Sequence, residues 1–525
     1  MWAAQSHATT SRTVLLTATT LGSLYVGWKI AVSLYSKRVI EAAIKKQQLH
    51  SPDSTLPVLG NTLDLLIFQR DRLWDWVTEQ SELSEGKPWV LRVIGRPTSL
   101  VITSPEALED VFKTQFDVFE RGADMRELFY AFVGDGIVGA DGDEWLKHRR
   151  TASHMFTARM LRDVVDAVAK EKSIQLRDVL ADCAKQGRVV SMKSLLTKFS
   201  NDVFTKIGFG VDLNGLGGDV NADMDHPFIK ALEVYTAVLC ARLLSPTWLW
   251  KLKRFLNIGD ERALKYANKV VHDLTNEVMR ESIKTKASDE GDGRKDLLSL
   301  FMEANDPTDV QVVRDSVMNF LLAGGETTSF SLSWVIVNLN RYPAVLAKLR
   351  AEFREKLPGL MTGDIGAPTF EDLQNLPYLE AVVKESLRLY VTAINRVANQ
   401  STTLTDGTFV PSGCGIMVPL YAAARMKDVW GDDADQYKPE RWIDPDTGRV
   451  RHVSSFKFIS FIAGPRQCIG MRFALLQMRI AIAVLFSRFD LKTEENPFEI
   501  TYDIAFTLPV KGPLNVSVHE ISTAQ

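Results

Sequence analysis

The stretch SFIAGPRQCIGMRFALLQ, which begins at Ser460, places a cysteine between two glycines and just ahead of an apolar run. Gly464 and Gly470 have no Cβ, so the backbone around Cys468 can take left-handed dihedrals or lie against a planar ring. The run MRFALLQMRIAIAVLF predicts a helix whose amino terminus directs N–H groups and partial positive charge at the sulfur, which favours the thiolate. Arg466 can neutralise a carboxylate at the edge of such a ring. These features predict a cysteine ligand to a large flat cofactor; the alternative is a buried free cysteine at a helix start.

The segment FIAGPRQCIG matches in full the pattern Phe-x-x-Gly-x-Arg-x-Cys-x-Gly. In this pattern the chain resembles the cytochrome P450 superfamily, the haem-thiolate monooxygenases, and the resemblance extends from about Leu56 to near the carboxyl end. It implies haem b as the cofactor and Cys468 as the axial thiolate ligand of its iron. It also implies that the other fixed positions contact the haem: Phe461, Gly464, Arg466 and Gly470.

A second motif, AGGETT from Ala323 to Thr328, lies inside a long apolar helix pattern. Two adjacent glycines in a helix interior cost about 1 kcal/mol each relative to alanine. Close approach to a cofactor face would explain them, and a threonine that bonds back to a carbonyl can open the helical ladder and leave a polar notch. A glycine pair that serves helix packing is the alternative. The resemblance identifies the family's oxygen-binding groove, with Glu326 as the acid, where many members have aspartate, and Thr327 as the alcohol.

In KESLRLY, Glu385 and Arg388 lie three residues apart on one face of a predicted helix and can form an ion pair. Surface pairs are common at this spacing, but the apolar neighbours predict a largely buried helix. A buried pair needs further hydrogen bonds, and YKPERW offers Arg441 as a third partner, as the family's Glu-x-x-Arg and Pro-Glu-Arg motifs imply. The expected role is structural support for the loop that carries Cys468. Many members have proline after this helix, where Val391-Thr392 stand.

In DGDEWLKHRRTASHMF, Trp145 and Arg149 occupy consecutive turns of a predicted helix. An indole N–H and a guanidinium are both donors, which suits them to hold a carboxylate between them. An amphipathic basic helix is the alternative. The resemblance assigns Trp145 and Arg149 to one haem propionate and Arg396 to the other.

The elements that must position these residues belong to a large globular chain. With 525 residues, 46% hydrophobic residues and a formal net charge of -3, it can bury a large core and lacks the bulk basicity typical of nucleic-acid-binding proteins. Its cysteines match no zinc or disulfide spacing, which indicates reduced thiols in a reducing compartment. They are Cys183, Cys240, Cys414 and Cys468.

Helical periodicity dominates, as in RMLRDVVDAVAKEKSIQLRDVLADCAKQ. Strand patterns are fewer: PWVLRVIGRPTSLVIT predicts a hairpin around Gly95-Arg96-Pro97, and TTLTDGTFVPSGCGIMVP predicts another around Asp406-Gly407. We expect a mostly α fold with small β-sheets, the haem-thiolate monooxygenase fold, in a single large domain.

The apolar segment from Val14 to Tyr35 is about long enough to cross a bilayer as a helix. A cleaved signal peptide is the alternative, but basic residues follow the segment, as they follow a stop-and-anchor sequence. They outnumber the single Arg12 before it, so the positive-inside rule places the rest on the cytoplasmic side. We expect a single-pass protein of the endoplasmic reticulum membrane, with an anchor at 1–36, a linker at 37–55 and a catalytic domain at 56–525.

The implied reaction uses O2 and two electrons from an NADPH-dependent flavoprotein reductase to insert one oxygen atom into a C–H bond, and releases the other as water. Thr327 and Glu326 would organise water for proton delivery. A basic patch of Lys147, His148, Arg150 and Arg472 would suit an acidic reductase. One alternative is an oxygen-independent isomerase or dehydratase of lipid peroxides, and another is a haem-binding protein without turnover. The intact acid–alcohol pair argues against both.

The segments GDGIVGADGDEWLKHRRTASHMF and IGFGVDLNGL are similar to the branch that contains fatty-acid and alkane hydroxylases. We therefore predict hydroxylation of medium- to long-chain fatty acids at or near the methyl terminus, with Arg121 or Arg126 as a cation for the carboxylate. A sterol, terpene or xenobiotic substrate is the alternative, since an apolar pocket suits these too. The apolar residues expected over the haem are Phe129, Phe132, Ile137, Phe320, Ala323, Ile394 and Phe506.

Overall fold

The computed structural model of the chain describes residues 37–217, 227–288, 297–304, 310–505 and 507–521. The predicted anchor segment and Phe506 lie outside these residues. Within them helices predominate and strands are short, which confirms the prediction of a mostly helical fold with small sheets.

The α-helices, in chain order, are α1 (37–45), α2 (Leu73–Leu83), α3 (Pro105–Glu109), α4 (Ala123–Val133), α5 (Gly142–Ser153), α6 (Ala158–Met160), α7 (Asp166–Gln186), α8 (Met192–Phe209), α9 (Pro227–Leu244), α10 (Thr247–Leu256), α11 (Asp260–Ser288), α12 (Leu297–Ala304), α13 (Val310–Arg341), α14 (Pro343–Lys356), α15 (Pro358–Thr362), α16 (Phe370–Gln374), α17 (Pro377–Leu389), α18 (Leu420–Ala423), α19 (Lys427–Trp430) and α20 (Met471–Phe486). Short π-helical segments are Asp64–Phe68, Asp110–Thr114 and Leu161–Val165, and short 3-10 segments are Arg70–Arg72, His154–Phe156, Gly215–Gly217, Pro439–Trp442 and Gly464–Arg466.

The strands are β1 (Trp89–Leu91), β2 (Ser99–Val101), β3 (Phe119–Glu120), β4 (Val189–Ser191), β5 (Ala393–Ala398), β6 (Thr402–Thr403), β7 (Phe409–Val410), β8 (Gly415–Pro419), β9 (Phe489–Thr493) and β10 (Asn515–Glu520). Among the described residues they form sheets in the orders β1-β2-β8-β5-β3, β4-β10-β9 and β6-β7. Both predicted hairpins are present, because β1 pairs antiparallel with β2 and β6 pairs antiparallel with β7.

Helix α13 runs through the centre of the main core and packs on α4, α8, α11, α17 and α20. By length and composition its segment Val313–Arg341 could cross a bilayer, but its most apolar window is 67% buried by the rest of the protein, as expected of a core helix. Buried aliphatic residues such as Leu332, Val335 and Val337 account for this packing. The motif AGGETT is therefore carried by a helix that packs in the core of the domain.

The glycine pair of AGGETT is explained by packing between helices. A Cβ at Gly324 would collide with the ring of Phe204, and a Cβ at Gly325 would collide with the side-chain amide of Asn201. Both partners belong to α8. The helix-packing explanation therefore accounts for Gly325, while Gly324 packs on α8 and also lines the cavity described below. Helix α13 also stays α-helical throughout, so no ladder opening occurs at Thr327.

The segment expected as a linker, 37–55, is packed onto the domain. Residues 37–45 form α1, and Ile40 and Ile44 are buried in a second apolar cluster around the five-stranded sheet. The carbonyl of His50 accepts a hydrogen bond from the Val90 amide at 2.9 Å. Parts of the segment 37–55 therefore contact the catalytic domain.

Candidate active site

The loop before α20 places Cys468 at the wall of a cavity. Gly464 has φ +67, and a Cβ there would collide with the Phe112 carbonyl, so this position requires glycine. The Cys468 amide donates to the Phe461 carbonyl at 2.7 Å, which closes the loop, and α20 begins three residues later. All four cysteines lie in the described residues. Cys468 alone among them lines this cavity and has an exposed side chain.

The pKa of the Cys468 thiol is set by effects that act in opposite directions. The Gly470 N–H and the Arg149 guanidinium both lower the pKa of the thiol, as a helix start and a cation should. Desolvation is larger, however, and the net effect is a pKa above the usual thiol value. The helix start and Arg149 therefore favour the thiolate, and desolvation opposes them.

The cavity has a volume of about 290 Å³ and lies between α13, the end of α17 and the cysteine loop. Its walls are mostly aromatic and aliphatic, with a few hydroxyl groups, and none of its described lining residues is charged. They are Phe156, Phe204, Phe320, Ala323, Gly324, Thr327, Thr328, Phe330, Ser331, Trp334, Leu387, Tyr390, Val391, Thr392, Ser460, Phe461, Ile462, Cys468, Ile469, Gly470, Phe473, Ala474, Met478, Thr507 and Leu508.

Of the seven residues expected over the haem, Phe320 and Ala323 line this cavity. Phe132 instead packs between the ring of Tyr235 and the guanidinium of Arg242. Phe129, Ile137 and Ile394 pack into the apolar clusters of the domain and do not line this cavity.

Three arginines converge beside the cysteine loop around one carboxylate, Asp141. Arg466 donates to Asp141 at 2.5 Å and to the Ala140 carbonyl at 2.9 Å, and the Arg121 amide donates to Asp141 at 3.2 Å. Burial, followed by repulsion from Arg121 and Arg466, places the pKa of Arg396 well below its usual value. The same causes, with Arg466 as the repelling cation, lower the pKa of Arg121 to about 10. The cluster therefore has an excess of buried positive charge.

Each of these arginines also keeps a buried N–H group that has no partner in the described structure: Nε of Arg121, Nη2 of Arg396 and Nη1 of Arg466. Buried donors of this kind require an acceptor, and for cations an anionic one. The two propionates of a haem provide two carboxylates, so the residues present fit that group. Arg121, which the sequence suggested as one of two cations for a substrate carboxylate, lies in this cluster instead. Asp141 was missed in the sequence, where its place in GADGDEW was the available signal.

Trp145 and Arg149 of α5 are placed differently from each other. Trp145 is buried, with its ring against Phe116 and under the Arg466 guanidinium at 4.6 Å, so it belongs to the arginine cluster. Arg149 is half-buried and interacts electrostatically with Cys468. Trp145 therefore lies beside the arginine cluster, and Arg149 lies near the Cys468 sulfur.

The acid and the alcohol of AGGETT face different spaces. The Thr327 hydroxyl donates to the Ala323 carbonyl at 2.8 Å and lines the cavity that contains Cys468. Glu326 lines a second cavity of about 750 Å³, where it accepts a hydrogen bond from Thr236 at 3.0 Å. Desolvation raises the pKa of Glu326 to about 7. Thr236, on α9, was missed because no local pattern marks it.

Glu385 is fully buried and accepts five hydrogen bonds. Its Oε1 accepts from Arg388, from the Lys438 amide and from Arg441, and its Oε2 accepts from Arg388 and the Trp442 indole, all at 2.8 to 2.9 Å. Arg388 also donates to the carbonyls of Ala424, Ala434 and Gln436. Trp442 was not predicted as a partner, although it ends the YKPERW segment.

This network is connected to the cysteine loop by packing and by one hydrogen bond. The Trp442 ring packs edge-on against Phe458 at 4.8 Å, and Phe458 packs on Phe461, whose carbonyl bonds the Cys468 amide. The Ser460 hydroxyl donates to the Leu387 carbonyl at 2.9 Å. A change at Glu385 can therefore reach the cysteine loop.

Comparison with known proteins agrees with this geometry. The family described as Cytochrome P450 matches residues 50–514. Cytochrome P450 94B1 of Arabidopsis thaliana is 34% identical over 435 residues, which cover 80% of this chain and 82% of the relative. Cytochrome P450 CYP94D108 of Paris polyphylla is 33% identical over 89% of this chain and 93% of its own length, and cytochrome P450 704B1 of Arabidopsis thaliana is 33% identical over 84% and 89%. The chain therefore belongs to the cytochrome P450 family of monooxygenases, which use haem iron held by a cysteine thiolate.

Proposed function

We propose that the chain is a membrane-anchored monooxygenase that hydroxylates medium- to long-chain fatty acids at or near the methyl terminus. The observation that carries this proposal is a single cavity that contains both Cys468 and the Thr327 hydroxyl and is otherwise mainly apolar. An alkyl chain gains free energy from such walls, and the hydroxyls of Thr327, Ser331 and Ser460 already donate to backbone carbonyls of the protein.

In this proposal each part of the site has a defined task. Cys468 ligates the iron, while Arg121, Arg396 and Arg466 bind the propionates with the N–H groups that lack partners. When bound, haem supplies the activation of oxygen, and electron donation from a thiolate ligand favours cleavage of the O–O bond. Thr327 holds a water or hydroxyl proton at the cavity wall, and Glu326 resupplies that proton from the second cavity.

The proposed substrate class is based on the uncharged lining of the cavity that contains Cys468 and on the exposed cation Arg126. The described lining contains no charged residue, so the carboxylate of a fatty acid has to stay at the entrance while the methyl end lies near Cys468. Because Arg121 belongs to the buried cluster, Arg126 on α4, which is exposed, remains the proposed partner for that carboxylate.

A substrate series tests the assignment. With a reductase, NADPH and oxygen, saturated fatty acids should yield hydroxy acids, and Arg126→Gln should raise KM for the acids more than for the matching fatty alcohols. Product analysis by mass spectrometry makes the comparison. Turnover of a sterol or a terpene but of none of the acids would refute the lipid assignment. Conversion of lipid hydroperoxides without NADPH would favour the oxygen-independent alternative.

The electron donor is proposed to be an acidic flavoprotein that docks on Lys147 and Arg150 of α5 and on Arg472 of α20, all of which are exposed. His148 is buried against Phe301 and has a lowered pKa through desolvation, so its inclusion in this patch is wrong. Lys147→Glu with Arg150→Glu should slow reductase-driven turnover with a strong dependence on salt and leave peroxide-driven turnover unchanged. Equal loss in both assays would contradict a docking role.

An apolar surface supports the proposed association with the endoplasmic reticulum membrane. Helix α10 exposes large apolar side chains, and so does the segment before α2; they are Trp248, Leu252, Phe255, Leu256, Val58, Ile67 and Phe68. The turn between β1 and β2 links these regions, because the Ile94 amide donates to the Thr62 hydroxyl and Arg96 donates to the Arg242 and Ser245 carbonyls that precede α10. Residues 37–525 should still sediment with phospholipid vesicles, and Trp248→Glu with Phe255→Glu should release them. Unchanged sedimentation of that variant would contradict this surface.

A further inference from the structure

Glu326 is separated by its direction from the cavity that contains Cys468. Adjacent residues of an α-helix point about 100° apart, and here that rotation turns Glu326 toward the second cavity while Thr327 faces the first. Glu326 is 8% exposed, and the hydrogen-bond partner of its carboxyl in the described structure is the hydroxyl of Thr236 on α9. The position of the acid therefore depends on a helix that is distant in sequence.

The Thr236 hydroxyl lies between two acceptors. It is 3.1 Å from the carbonyl of Leu232 and 3.0 Å from Oε2 of Glu326. A hydroxyl has one proton to donate and can also accept. When Glu326 is ionised, Thr236 donates to the carboxylate. When Glu326 is protonated, the acid donates to Thr236, which then donates to the Leu232 carbonyl. The Thr236 hydroxyl can therefore hydrogen-bond the Glu326 carboxyl in both its ionised and its protonated form, and the carboxyl does not have to move.

We propose that Thr236 is a positioning residue for proton delivery, which holds the Glu326 carboxyl at the wall of the second cavity in both protonation states so that water there can reload it. This inference rests on the proposed function, in which Glu326 resupplies the proton used at Thr327.

The charges that face Glu326 come from several elements. Glu233 on α9 raises its pKa and Lys193 on α8 lowers it, while desolvation is the largest effect. The Lys193 ammonium donates to the Val510 carbonyl and lies 5.9 Å from the ring of Phe330, a residue that lines both cavities. The other charged residues of the second cavity are Arg70, Asp71, Asp503 and Lys511, of which Lys511 and Asp71 are 4.0 Å apart. Opposite charges thus face the acid, and Thr236 is its direct hydrogen-bond partner.

The test uses the full-length holoenzyme and three variants of threonine. Thr236→Val removes the hydroxyl at nearly constant shape, Thr236→Ser restores it, and Thr205→Val is the matched control, because Thr205 is a buried threonine that bonds the Asn201 carbonyl within α8. We expect Thr236→Val to slow the proton-dependent step about tenfold, the size of one lost hydrogen bond. The loss is measured as product formed per NADPH and as peroxide released. Thr236→Ser and Thr205→Val should match the wild type.

The second readout is the infrared carbonyl band of protonated Glu326, identified by its absence in Glu326→Gln. Its titration midpoint should lie near pH 7 in the wild type. In Thr236→Val the midpoint should move upward, because the hydrogen bond that stabilises the carboxylate is gone. A wild-type midpoint and wild-type product per NADPH in Thr236→Val would overturn the inference.

The two levels of the proposal can fail separately. If Glu326→Gln and Thr327→Ala both leave product per NADPH unchanged, the proton-delivery role in the proposed function is wrong. If Glu326→Gln and Thr327→Ala form less product per NADPH but Thr236→Val does not, only the positioning role of Thr236 is wrong. Should Thr236→Val fail to bind haem, Thr236→Ala removes the same hydroxyl with less crowding, and the same two outcomes decide.

Discussion

Cys468→Ala should abolish the long-wavelength absorption band that reduced, carbon-monoxide-bound haem shows when a thiolate is its axial ligand. No other cysteine can replace it, since Cys183 and Cys414 are buried and the Cys240 thiol donates to the Ile504 carbonyl beside the second cavity. Monooxygenase turnover should disappear with the band. The reduced carbon monoxide difference spectrum of the purified variant provides the measurement.

The arginine cluster sharpens this experiment. Because Arg121, Arg396 and Arg466 offer donors independently of the sulfur, Cys468→Ala should retain part of its haem while losing the thiolate band. Pyridine haemochromogen analysis reports the haem content separately from the ligand. Cys183→Ala, Cys240→Ala and Cys414→Ala are the matched controls and should keep the band. Retention of the band in Cys468→Ala would eliminate the assignment.

The cysteine loop shows how much a local pattern can predict. Gly464, Arg466 and Cys468 are close in sequence, and the geometric demands on them, a positive φ at Gly464 and a buried guanidinium beside the cavity, act within a few residues. The two hairpins were predictable for the same reason, since turn chemistry and strand pattern are local. The sequence was therefore sufficient for the part of the site built by one segment.

The other parts of the site depend on contacts between segments that are distant in sequence. Gly325 is small because Asn201 lies against it, and Glu326 faces the second cavity because Thr236 bonds it there. The sequence predicts that Phe132 is buried, but it does not predict that Phe132 lies beside Arg242, because that contact depends on how α4 packs against α9. Helical periodicity identifies which residues are buried and does not identify what they are buried against. For this reason the sequence did not indicate which residues line the cavity or that Arg121 lies beside Asp141.

Glu385→Gln should be the most destabilising single substitution of a charged residue in the site. Glu385 is the fully buried carboxylate between two cations, Arg388 and Arg441, while Asp433 lies at the partly exposed edge, where it pairs with Arg441 and Lys438. Removing one carboxylate charge leaves a buried guanidinium without its counter-ion, which typically costs about 3–5 kcal/mol. The amide also cannot accept all five hydrogen bonds, because its nitrogen is a donor.

We expect Glu385→Gln to lower the unfolding midpoint in urea and to release haem, because Trp442 and Phe458 transmit the disturbance to the loop of Cys468. Glu109→Gln is the control, since it removes an exposed ion pair with Lys113 and should change the unfolding free energy by less than about 1 kcal/mol. A holoprotein of Glu385→Gln with wild-type stability would show that the neighbouring Asp433 and the backbone carbonyls around Arg388 suffice. In that case the network would not be the support of the cysteine loop, and the loop geometry would rest on Gly464 and its contact with Phe112.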